Sequence, residues 1–212
     1  MNKKLFLTRS DHDIGNSYMS AYCEEILAEA EERNWKVEKS EFAENEKKNV
    51  ASRLANNPNL VVFNGHGTSD TVCGHKDQPI LESSQAQLLA GTVSFIRACA
   101  CLGGLGPSAV KNGAKAVVGY NGDLWLPRIN EKAATPLTDP SAKPVLEASN
   151  TVALKLLKGA TVREAVNASK NRANKEILQM LTREEPYDSP ALKALITNNF
   201  NLNFEGNADA TA

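Results

Sequence analysis

The 212-residue sequence lacks an excess of either charge: Lys plus Arg number 24 and Asp plus Glu 25. That balance removes the electrostatic support for nucleic-acid or membrane-surface binding. No apolar run approaches the roughly 20 residues a membrane helix needs. The basic start at Lys3-Lys4 leads through Leu5-Phe6-Leu7 to polar Thr8-Arg9-Ser10-Asp11. That stretch is too short for the apolar core of a secretion signal, so a cytoplasmic location is expected. Cysteine is scarce, at Cys23, Cys73, Cys99 and Cys101 only. In a reducing compartment each reads as a core thiol, a ligand or a nucleophile rather than half of a disulfide. The glycine cluster Gly103-Gly104-Leu105-Gly106 lacks both the Gly-Lys-Ser/Thr ending of a phosphate-binding loop and the dinucleotide glycine spacing. No internal repeat or low-complexity tract is present.

What is present is alternation. Leu5–Leu7 reads as a strand and residues 17–33 as a helix, with Tyr18, Tyr22, Ile26 and Ala30 at helical spacing. A strand over 36–40 and a polar helix over 45–56 follow. Leu60-Val61-Val62-Phe63 reads as a buried strand, set off by Asn56-Asn57-Pro58-Asn59 before it and Asn64-Gly65 after it. An irregular stretch over 68–81 and a short helix over 84–90 lead to a strand over 92–98. A helix over 105–112 ends at Gly113, and Ala116–Gly119 is the next strand. A long loop covers 124–143. Helices over 145–158 and 161–181 follow, the second opened by a Thr161/Glu164 capping box. This order predicts an α/β domain with a mostly parallel sheet covered by helices on both faces. One domain is expected over 1–197, with 198–212 a polar tail of the kind that is often disordered.

In such sheets ligands bind beyond the carboxyl ends of the strands. His66 follows the third strand and Cys99 the fourth. An imidazole beside a thiol can take its proton or hold the thiolate, which makes the sulfur a nucleophile. Gly65 and Gly67 flank the histidine, so a substrate carbonyl could approach main-chain amides, and those of Gly67 and Cys99 would form an oxyanion hole.

The segments Val61-Val62-Phe63-Asn64-Gly65-His66-Gly67 and Ser94-Phe95-Ile96-Arg97-Ala98-Cys99 resemble the two catalytic segments of the caspase-like cysteine peptidases. The residues after the cysteine, over 104–119, resemble gingipain-type and CHAT sequences in particular. The resemblance covers roughly residues 3–125. It implies a caspase-like three-layer sandwich and a cysteine endopeptidase acting on peptide or protein substrates without a cofactor or metal. It places the family's cysteine on Cys99 and its histidine on His66. Cys101 stands where many relatives carry Gly or Ser, and is a competing thiol.

Substrate-reading residues are less sharply marked. Arg9, after the first strand, would read an acidic side chain. Asp123, after the fifth, would read Lys or Arg, and Trp125 would wall a neighbouring subsite. Asp11, Asp13 and Asp70 compete for the same role. Two other readings are open: a catalytically silent scaffold of the same fold, and a zinc site built from Cys73, His75, Cys99 and Cys101, whose one-residue spacings depart from the usual knuckles.

Overall fold

The computed structural model describes residues 3–182 and 189–212. In chain order the elements are β1 (Lys4–Arg9), α1 (Ile14–Glu32), β2 (Lys36–Glu41), α2 (Lys47–Leu54), β3 (Leu60–Asn64), β4 (Thr71–Cys73) and β5 (Pro79–Glu82). Then come β6 (Val93–Arg97), α3 (Leu105–Lys111), β7 (Ala116–Tyr120), α4 (Lys143–Leu157), α5 (Val162–Leu181), α6 (Pro190–Asn201) and β8 (Leu202–Gly206). The main sheet runs β2-β1-β3-β6-β7-β8, parallel except for β8.

The side-chain alternation of the strands builds two cores. Leu5, Leu7, Leu60, Val62, Phe95 and Val118 face α1, α4 and α5. Phe6, Val61, Phe63, Ile96 and Val117 face α2, α3 and the β4–β5 hairpin. Both faces of β3, β6 and β7 are therefore covered, which is why those strands read as unbroken apolar runs. This is the expected three-layer arrangement. No helix among the described residues is long and apolar enough to cross a membrane.

Three features depart from the sequence reading. The irregular stretch after His66 contains the antiparallel β4–β5 hairpin. Residues 190–201 form α6, capped by Ser189, whose hydroxyl accepts from the Leu192 amide. Its Asn-rich end has low helix propensity and gave no periodic signal. The expected tail is not a tail: residue 197 lies inside α6, and β8 pairs with β7 from Tyr120↔Leu202 to Ala116↔Gly206. Pairing satisfies an edge strand that would otherwise be open. The tail carbonyls of Ala210 and Ala208 then accept from the Val162 and Arg163 amides at the start of α5, at 3.0 and 2.9 Å. Of the 1–197 span, residues 1–2 and 183–188 lie outside the described residues.

Candidate active site

Sheet order makes β3 and β6 neighbours, and their register pairs Asn64 with Arg97. The Gly65 amide extends that pairing by donating to the Arg97 carbonyl at 3.3 Å. His66 and Cys99 therefore each follow two residues after the last paired residues of neighbouring strands. Gly67 is lodged against the same segment: a Cβ there would lie 2.9 Å from the Ala98 Cβ and 3.6 Å from the Cys99 carbonyl oxygen. The hairpin braces the histidine from the other side, since the Cys73 amide donates to the His66 carbonyl at 2.9 Å.

Beyond Cys99 the backbone turns sharply. Ala100 sits in the left-handed region at φ 51°, which costs a non-glycine residue about 1 kcal/mol. Its amide donates to the Gly122 carbonyl at 2.9 Å and its carbonyl accepts from Gly103 at 2.8 Å, which hold the turn. The Cys99 Sγ accepts from the Leu124 amide at 3.4 Å.

The two thiols of the Cys-Ala-Cys segment have different environments. Cys99 is partly exposed. Cys101 is fully buried, and a side chain at Gly119 would meet its sulfur at 2.3 Å. Burial pushes the Cys101 thiol up to about 12.

Asp13 is the site residue that sequence reasoning placed only among competitors for substrate reading. It caps α1 by accepting from the Asn16 amide at 2.9 Å. Its Oδ2 lies 3.0 Å from Nε2 of His66. Burial alone would raise its carboxyl, but the backbone and side-chain bonds from Asn16 and the contact with His66 together hold it below the ordinary carboxylate range. It is therefore ionised at neutral pH. What it contributes to stability is present above the ordinary carboxylate pKa of about 3.9 and is lost as the pH falls through its lowered folded value. The helix was read as starting at residue 17, so neither the cap nor the adjacency of β1 and β3 beside Asp13 and His66 was visible in the sequence.

Cys99 opens onto a pocket of about 520 Å³, lined also by Asp123, Leu124, Trp125, Leu126, Pro127, Pro190, Lys193 and Ala194. Asp123 and Trp125 thus line the same pocket as Cys99. Lys193 and Pro190 come from α6, the helix that the sequence reading did not find. Asn198 of α6 clamps Trp125 at both ends of its peptide unit, accepting from its amide and donating to its carbonyl, each at 2.8 Å. Arg9 is not among these lining residues. It is 7% exposed, bonded to the Glu24 and Glu41 carboxylates and to the Ser20 carbonyl. Its guanidinium is consumed by the fold. Among the described residues, Cys73, His75, Cys99 and Cys101 do not converge as a metal-binding group.

No protein-family model matches the chain, and no curated protein matches it significantly. Solved structures do match. The crystal structure of the Arg-specific cysteine proteinase gingipain R is 12% identical with a TM-score of 0.61, covering 99% of this chain and 47% of that one. The complex of Porphyromonas gingivalis RgpB pro- and mature domains is 11% identical with a TM-score of 0.62, covering 99% and 48%. A further structure, described as a protease, is 13% identical with a TM-score of 0.61 and the same coverage of 99% and 48%. The chain spans about half the length of the structures it matches. A two-faced, mostly parallel sheet in this strand order, overlaid on those proteins along nearly all of its length, gives the chain the caspase-like fold of the gingipain cysteine proteases.

Proposed function

We propose that the chain is a cysteine-type endopeptidase that uses a Cys99–His66 dyad. The observation that carries this reading is that both residues follow the ends of adjacent parallel strands, with Cys99 lining the same pocket as Trp125. The Cys99 thiolate attacks the peptide carbonyl. The developing oxyanion is received by the Gly67 and Cys99 amides. His66 protonates the leaving amine, then activates the water that releases the acyl group. Asp13 acts through His66, holding the ring by Nε2. The reading needs no cofactor.

Asp123 in the pocket, together with the Arg specificity of one structural neighbour, supports a basic residue before the scissile bond. A fluorogenic panel carrying Arg, Lys, Asn or Asp at that position tests this. Arg and Lys substrates should turn over fastest. A panel with no turnover, combined with a peptide-based thiol probe that fails to label Cys99, would sink the peptidase reading.

The role of Asp13 is separable from its cap. Asn is as good an N-cap as Asp, so Asp13→Asn keeps the cap and should lower the melting temperature by only a few degrees at neutral pH, through the lost carboxylate contact with His66. It should lower kcat about a hundredfold, toward the lower end of what positioned acid–base catalysis contributes, with KM little changed. An unchanged kcat would show that Asp13 only caps the helix.

A further inference from the structure

We infer that His12, Asp13 and Asp77 form a binding site for a Zn²⁺-class divalent ion beside the candidate active site. Nε2 of His12 lies 3.3 Å from Asp13 Oδ2 and 3.1 Å from Asp77 Oδ1, and the donor atoms of all three residues lie within 4.8 Å of one another. Zinc bonds of about 2.0–2.2 Å in a tetrahedron place neighbouring donors about 3.3–3.6 Å apart, close to the two separations from His12. One imidazole nitrogen with two carboxylate oxygens suits zinc better than calcium or magnesium, which prefer all-oxygen shells. Three protein ligands also leave a fourth position open.

The surroundings hold this geometry. The His12 side chain is 11% exposed, and the ring of His75 packs edge-on against it with 5.8 Å between centroids. Asp77 is presented by two successive non-glycine residues in the left-handed region, Lys76 at φ 53° and Asp77 at φ 57°. The turn is tied down by bonds from the His75 amide to the Asn45 carbonyl at 3.0 Å and from the Gln78 amide to the His75 carbonyl at 3.1 Å.

Asp13 Oδ2 is shared: the oxygen that faces His12 also faces His66. An ion there draws on the carboxylate that orients His66 and so restrains the dyad. That consequence rests on the peptidase reading, while the site itself does not.

The test is therefore a binding measurement, made on the chelator-treated full chain carrying Cys99→Ala so that the reactive thiol cannot act as a ligand. Titration with Zn²⁺ by calorimetry and with Co²⁺ by visible absorption should show one equivalent bound, with the intense bands of a low-coordinate Co²⁺ ion. His12→Ala and Asp77→Asn should each weaken Zn²⁺ binding by more than about tenfold, the lower end of what even an outer partner of a metal ligand contributes. Both should keep the metal-free melting temperature within a few degrees, about the shift that one kcal/mol produces in a chain of this size. Absence of saturable one-equivalent binding at micromolar Zn²⁺ would overturn the site and leave the three residues as an ion-paired triad. Binding that survives either variant would overturn it equally.

Discussion

Cys99→Ala should reduce peptide cleavage by at least about 10⁴-fold, the scale on which losing a covalent nucleophile is felt, while Cys101→Ala should retain activity. The two thiols are two residues apart, so composition around them is nearly the same; the environments are not. Cys99 is partly exposed, faces the pocket and receives the Leu124 amide. Cys101 is fully buried, and its thiol donates to the Ile96 carbonyl at 3.6 Å. Burial pushes the Cys101 thiol up to about 12. Burial therefore keeps it a thiol, out of reach of substrate. Truncating Cys101 should cost stability instead, about 1–2 kcal/mol for a small cavity in a packed core. Steady-state cleavage and labelling by a peptide-based thiol probe measure both effects. Labelling that survives Cys99→Ala and disappears with Cys101→Ala would reverse the assignment.

Arg97→Met should destabilise the protein by about 4 kcal/mol, enough to lower the melting temperature by roughly 8–16 °C. Arg97 is the largest fully buried side chain described. Its Nε donates to Asn64 Oδ1 at 2.7 Å, Nη1 to Asn150 Oδ1 at 2.7 Å and Nη2 to the Met19 carbonyl at 3.2 Å. Asn150 continues the network, donating to the Tyr22 carbonyl and to Glu25 at 2.8 Å each. The guanidinium therefore ties β3, β6, α1 and α4 together directly below the site. Methionine fills much of the volume but leaves the Asn64 and Asn150 side-chain oxygens without this donor, each worth about 1–3 kcal/mol, while the Met19 carbonyl keeps the Cys23 thiol. Against a total stability of about 5–15 kcal/mol this is a large loss. Arg97→Lys should not rescue it, because one ammonium cannot meet three acceptors arranged for a planar fork. Thermal and urea denaturation measure the effect. A loss under about 1 kcal/mol would mean that apolar packing outweighs the lost bonds.

The placement of His66 and Cys99 could be argued from sequence because strands covered on both faces are unbroken apolar runs, and ligands collect at their carboxyl ends. Asp123 and Trp125 followed from the same rule, and both line the Cys99 pocket. Arg9 obeyed the rule and is nonetheless consumed, since Glu24 and Glu41 come from α1 and β2, and nothing local announces that they converge on it. Asp13 was visible as a charge near the end of a strand, but its partner is 53 residues away. Helix α6 and strand β8 were missed for a related reason. Their apolar signals are short, with Ala191, Leu192, Ala194 and Leu195 in α6 and Leu202 and Phe204 in β8, and they are ordered by Asn198 holding Trp125 and by β8 pairing with β7.

The sequence by itself determined the alternating α/β order, the two strand-end motifs and the pairing of a histidine with a cysteine, because hydrophobic period and glycine placement are local quantities. Only the tertiary structure decided which of two nearby thiols is reachable, which charges are spent within the fold and which carboxylate holds His66. Those outcomes depend on burial and on contacts between residues far apart in the chain, where desolvation and hydrogen-bond geometry outweigh anything a neighbouring residue can signal.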